Sequence, residues 1–179
     1  MSDTSQITHN FDVLKNKIIL DATAGFRSMW FDKNHPNCLY VDQRPECEPD
    51  LVADHKDLAQ IPDETFKLII YDPPHIIKSN GVNNQNTLRL FGYLKAETWQ
   101  ADLKKSFEEL WRVLAPFGVL LFKWNNCSAQ SNDVIKLFPV KPLVYNVISH
   151  QQKKLNDKSH SRKIRTLWFA FMKIPEGVI

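Results

Sequence analysis

Apolar residues along the chain gather into short runs separated by polar, turn-forming stretches. Six runs have strand length: KIILDAT (17–23), NCLYVDQ (37–43), FKLIIYD (66–72), GVLLFKW (118–124), PLVYNVI (142–148) and TLWFAFM (166–172). Their apolarity is continuous rather than alternating, which suits strands covered on both faces, as in a parallel sheet. Between the third and fourth runs the period changes. Trp99, Leu103, Phe107, Leu110, Trp111 and Leu114 recur at helical spacing, and Pro116 and Gly118 stop the helix. Residues 28–34 and 131–138 are shorter helix candidates, and residues 1–16 are expected to form an N-terminal arm with a helix at 7–16. Strand and helix therefore alternate. This predicts an α/β fold on an open, mostly parallel sheet with right-handed crossovers, the last strand running antiparallel.

Length and composition narrow the class further. The 179 residues suit one domain, and 43% hydrophobic with 24% charged residues is the balance of a water-soluble globular chain. The net charge of +3 decides little. The opening MSDTSQITHNFDVLKNK has no apolar run of signal-peptide length, so a cytoplasmic protein without a membrane span is expected. Cys38, Cys47 and Cys127 form no CxxC pair and are expected to be packing thiols, and the six histidines lack ligand spacing, so no metal is expected.

In open α/β sheets, ligands bind beyond the carboxyl ends of the strands, near the switch in strand order. The residues ending these strands are Asp21, Asp42, Asp72 and Asn125. After the first strand, Asp21, Ala22, Thr23 and Gly25 form a small-residue turn, and Asp42 stands 21 positions beyond Asp21. An acid at this distance from a glycine turn is the usual partner of ribose hydroxyls. Gly25 is followed by bulky Phe26 and Arg27, which counts against a pyrophosphate and hence against NAD or FAD, and no P-loop is present. A nucleoside without phosphates fits, S-adenosyl-L-methionine being the common one: its sulfonium favours nearby acids. Each acid alone could equally be a turn former.

The stretch DPPH (72–75) ends the third strand. Proline fixes φ and restricts its predecessor, so Asp72, Pro73 and Pro74 are stiff. The two prolines carry no N–H, leaving only acceptors: the Asp72 carboxylate and the Pro73 carbonyl. Such a pair suits a donor, such as an exocyclic amino group turned toward a methyl donor. His75 is flat enough to stack on a ring.

These residues resemble the [DNS]-P-P-[YFWH] signature of class I S-adenosylmethionine-dependent amino-methyltransferases, and LDATAG stands where that family carries its cofactor loop. The resemblance spans about residues 17–125, and the string DATAGFRSMWFDK, LYVDQR, YDPPHIIK and FKWN looks like small phage- and prophage-type DNA methylases. It implies a single Rossmann-like methyltransferase domain over 1–179. Asp21, Ala22, Thr23 and Gly25 would meet the methionine end, Asp42 the ribose, Asp54 or His55 the adenine, and Asp72 to His75 the target amine. The chain departs from the family in lacking a second glycine after Gly25 and in having His where Tyr or Phe is commoner.

Two segments are candidates for reading a substrate. Residues 78–95 are expected to form a target loop, with Arg89, Phe91 and Tyr93 for backbone contact and stacking. Residues 150–165 form a basic loop in which Lys153, Lys154, Lys158, Arg162, Lys163 and Arg165 outnumber Asp157 by five charges, as a phosphate contact requires. At the fourth strand's end, Lys123 lies beside the crevice, and Trp124 is either core or a wall of the target pocket. A base in a duplex must be flipped to reach such a pocket. With no separate recognition domain, the expected partner is a short DNA target or a structured RNA, or a homodimer supplies the missing contacts. Methylation of a protein amide or a small molecule, and a non-catalytic binder, are the alternatives.

Overall fold

The computed structural model describes residues 13–78, 91–150 and 164–178. Among these residues the strands are β1 (Ile19–Asp21), β2 (Cys38–Asp42), β3 (Leu51–Val52), β4 (Phe66–Tyr71), β5 (Ile77–Lys78), β6 (Leu94–Lys95), β7 (Leu114–Asn125), β8 (Val144–His150) and β9 (Ile164–Met172). The α-helices that lie wholly within these residues are α1 (Trp99–Val113) and α2 (Ser131–Ile135). Seven strands form one sheet in the order β3-β2-β1-β4-β7-β9-β8, and β5 pairs with β6 apart from it. Strands β1, β2, β3, β4 and β7 pair in parallel, whereas β9 is antiparallel to both of its neighbours. The fold is thus the expected Rossmann-like sheet with the last strand reversed. Strand order turns back between β1 and β4, so their carboxyl tips flank the switch-point crevice.

Helix α1 forms because its apolar positions fall on one stripe: Leu103, Phe107, Leu110 and Val113 are buried. They pack on the sheet face that carries Leu20, Ile69, Leu120, Phe122 and Phe171. Phe107 stacks on Phe138 at 4.3 Å and meets Phe171 edge-on at 5.3 Å. Arg112 anchors the helix by donating to the carbonyls of Leu58 and Ile61, both at 2.9 Å. Val13 and Leu14 are helical and pack against this core.

Several elements differ from expectation. Burial alternates along β4 and β7, so the strands are not evenly covered on both faces. Leu68, Ile70, Leu121 and Trp168 on the second face are half-buried among the described residues. Residues 28–34 are turns, not a helix: the Asp32 carboxylate accepts the Asn34 N–H at 2.9 Å, and the Trp30 indole is drawn onto Asp21. The candidate helix at 131–138 stops at Ile135. Strand β7 begins at Leu114, directly after α1, so Pro116 and Gly118 lie in an irregularity of that strand; Phe66 faces Leu114 but Leu68 faces Val119. Of the leading-helix expectation, residues 7–12 lie outside the described residues, as do most of the 78–95 loop, with Arg89, and most of the 150–165 loop, with Lys153, Lys154, Arg162 and Lys163.

Candidate active site

At the carboxyl edge of the sheet a cavity of about 560 Å³ opens between the tips of β1, β2, β4 and β7. Its wall includes Ala22, Thr23, Ala24 and Gly25 from the turn after β1, Asp42 from β2, His55, the whole Asp72–His75 turn, and Lys123 and Asn125 from β7. Its size is that of a cofactor or drug-sized site. Phe26, Met29, Phe91 and Gly92 add an apolar part to the wall, with Phe91 66% exposed.

The turn after β1 is tied to both neighbouring strands. Gly25 takes φ +51°, and its N–H donates to Asp42 Oδ2 at 2.8 Å. The Thr23 hydroxyl accepts the Asp72 N–H at 2.9 Å. Asp42 is buried and further accepts the Arg44 N–H at 3.0 Å and the Arg44 guanidinium at 2.9 and 3.1 Å. Burial pushes the Asp42 carboxyl up, but Arg44 and the two amides outweigh it and hold it below the usual carboxylate range.

Asp21 is placed differently from the expectation of a direct cofactor contact. It lies behind the wall, buried, accepting the Thr23 N–H at 3.2 Å and the Trp30 indole N–H at 2.7 Å. Burial raises its pKa to about 6 despite those hydrogen bonds. Its work here is to shape the turn.

Of the two adenine candidates only His55 lines the cavity. Asp54 lies outside the wall, its carboxylate accepting the Lys56 N–H at 2.9 Å and standing 3.6 Å from the Lys56 ammonium. Ser106 spends its one hydroxyl proton on the Asp102 carbonyl at 2.7 Å. His55 Nδ1, 2.8 Å from Ser106 Oγ, must therefore carry the hydrogen, which leaves Nε2 as an acceptor. Burial pushes the His55 pKa down to about 4, keeping the ring neutral at pH 7.

Asp72 carries the densest electrostatics. The parallel register pairs Tyr71 with Phe122, which sets Asp72 level with Lys123 on the next strand. Lys123 Nζ is 2.7 Å from Asp72 Oδ2, and His75 Nε2 is 3.0 Å from Oδ1. Oδ1 and His75 Nδ1 are both enclosed, and neither makes a hydrogen bond of good alignment. Burial pushes the Asp72 carboxyl up, yet His75 and Lys123 together hold it below the usual range. An unmet buried acceptor costs about 1–3 kcal/mol, a cost that the nearby Lys123 ammonium and His75 ring offset.

Other expected residues fall elsewhere. Trp124 is fully buried, with its indole N–H on the Ala129 carbonyl at 3.0 Å, so it is core rather than pocket wall. It meets the His75 ring edge-on at 5.3 Å. Tyr93 is exposed and outside the wall. Cys38 and Cys47 are buried, but Cys127, expected to be a packing thiol, lines the cavity with its Sγ 3.2 Å from the His75 carbonyl oxygen. Sequence reasoning missed Arg44 as the partner of Asp42, although an arginine two residues beyond a strand-end acid is a visible signal. It also missed Ser106 and Met29, whose roles depend on contacts from distant elements. Among the described residues no three His, Cys, Asp or Glu side chains converge as metal ligands do, and no helix is long and apolar enough to cross a membrane.

Sheet order, the reversed β9 and the switch-point cavity define the Rossmann-like fold of methyltransferases. Solved structures share it. A Leishmania major S-adenosylmethionine-dependent methyltransferase aligns at TM-score 0.51 and 15% identity, over 93% of this chain and 70% of its own. The 16S rRNA (adenine(1408)-N(1))-methyltransferase from Catenulisporales acidiphilia aligns at 0.51 and 9%, over 98% and 96%. A Pyrococcus horikoshii OT3 protein aligns at 0.51 and 12%, over 97% and 93%. No protein-family model matches the sequence, and no curated protein matches it.

Proposed function

We propose that the protein is an S-adenosylmethionine-dependent N-methyltransferase acting on an exocyclic amino group of a nucleobase, adenine first, in DNA or RNA. The observation that carries this reading is the convergence of the Thr23–Gly25 turn, Asp42 and the Asp72–His75 turn on one cavity at the switch point. Asp42 accepts the ribose hydroxyls in exchange for its two Arg44 guanidinium contacts, His55 Nε2 accepts the cofactor's amino group, and the β1 turn passes close to its methionine end. Bound there, the cofactor supplies an activated methyl group. Asp72 and the Pro73 carbonyl receive the hydrogens of the target amine and turn its nitrogen lone pair toward that group, so that orientation lowers the barrier. His75 and the exposed Phe91 flank the ring.

A nucleic-acid target is supported by the five net positive charges of residues 150–165 and by the rRNA adenine named for one structural neighbour. The test is transfer of labelled methyl from S-adenosylmethionine to a panel of DNA, RNA and protein, followed by digestion and identification of the product. The expected product is a methylated amino group on adenine. Asp72→Ala should abolish transfer while leaving calorimetric cofactor affinity within about threefold, because it removes an interaction of the target alone. Label found only in protein amides, or no cofactor heat at millimolar ligand, overturns the proposal.

A further inference from the structure

Lys123 is the group that the methyl-transfer reading leaves without a task. It sits on β7 on the same sheet face as Leu121, where a lysine among apolar neighbours needs a partner. Three contacts hold it: Asp72 Oδ2 at 2.7 Å, Met29 Sδ at 3.9 Å, and the Trp168 ring, whose centroid is 5.8 Å from Nζ. Its ammonium therefore occupies one oxygen of the carboxylate that is to meet the target. The other oxygen, Oδ1, is enclosed, with His75 Nε2 3.0 Å away and no aligned hydrogen bond.

We infer that Lys123 is a positioning residue: with Lys123 on Oδ2 and His75 beside Oδ1 the Asp72 carboxylate is held ionised and in one orientation at the cavity wall, as an acceptor for a neutral amino group, and so disfavours cationic amines as targets. The inference rests on the methyltransferase reading of the same cavity. A planar, neutral amine has two hydrogens to give and needs two separate acceptors. An ammonium ion would bring its charge against Lys123 and find half of the carboxylate already taken. The pin also keeps the acceptor ionised. The groups facing Asp72 are His75 from its own turn, Lys123 from β7 and Asp21 from β1, the last repelling it. Without Lys123, burial and Asp21 are opposed by His75 alone.

The experiment compares wild type with Lys123→Met, which keeps the stem and removes the charge, and Lys123→Arg, which restores it. Carbon-13 NMR titration of the Asp72 carboxyl, assigned through Asp72→Asn, is read in the cofactor-free protein. The midpoint should rise by about one pH unit or more in Lys123→Met and return in Lys123→Arg. With labelled S-adenosylmethionine and adenine-containing DNA and RNA oligonucleotides, the acid limb of kcat/KM should move up with that midpoint. The loss in Lys123→Met should grow as pH falls, and one pH unit below the variant's midpoint it should be about fivefold greater than at pH 8. An unmoved midpoint, or a loss equal at every pH that arginine does not rescue, overturns the inference. If the wild type itself transfers no methyl to any oligonucleotide, the functional reading fails separately, and the carboxyl titration still decides whether Lys123 governs Asp72.

Discussion

Asp42 and Asp72 both stand at strand tips on one cavity wall, and each is closed by a cation of its own chain, Arg44 and Lys123. The two pairs predict different losses. Asp42 also holds the Gly25 N–H, so it fixes the turn along which the proposed cofactor would lie. Hydrogen bonds to a charged group are worth about 1.5–3 kcal/mol, and Asp42→Ala should therefore weaken cofactor binding about tenfold to a hundredfold by calorimetry. Affinity unchanged by that substitution would remove Asp42 from the cofactor site. Its effect on cofactor binding should far exceed that of Asp72→Ala, which in the proposed function acts on the target.

At the scale of elements, β7 does most to place the site, since it carries Lys123 and Asn125 and pairs with both β4 and β9. Its irregular start absorbs the chain as it leaves α1: Phe117 takes φ +60°, and the register against β4 shifts between Phe66 and Leu68. Gly118 permits this bend. A Cβ there would lie 2.7 Å from Leu114 Cδ1 and 2.8 Å from the Ala115 carbonyl oxygen. The backbone oxygen cannot swing aside as a side chain does, so Gly118→Val should destabilise by about 1–3 kcal/mol, measured by urea denaturation. A midpoint equal to wild type would show that the bend tolerates a side chain.

For the whole molecule, two buried groups titrate in opposite senses. Asp21 has a folded pKa of about 6, above the ordinary 3.8, so the folded state holds its proton longer and stability falls as pH rises from about 4 to 6. His55 has a folded pKa of about 4, below the ordinary 6.5, so the unfolded state gains the proton first and stability rises with pH across about 4 to 6.5. Each shift amounts to about 3 kcal/mol, and in wild type the two largely cancel. Asp21→Asn should expose the rise and His55→Gln the fall, read from urea midpoints at pH 4.5 and 7. Slopes of the same sign in both variants would show that the two groups do not oppose one another.

Much of this arrangement is legible in the sequence, because apolar runs, helical spacing and proline stiffness are local properties of the chain. The runs locate β1, β2, β4, β7, β8 and β9, the spacing of Leu103, Phe107 and Leu110 locates α1, and the strand-end acids and the Asp-Pro-Pro-His turn point to the crevice. Local pattern misleads where a distant group competes. Trp30 leaves a would-be helix for the carboxylate of Asp21, and Asp21 leaves the cavity wall in return. The pairing of Asp72 with Lys123, 51 residues apart, follows from the parallel register of β4 and β7. Strand composition alone cannot encode that register, for one residue of slip would send Lys123 to the opposite face of the sheet. The chain's local chemistry thus determined which elements form and which groups end them; packing of the sheet decided which charges meet, because electrostatic partners are set by distance in space.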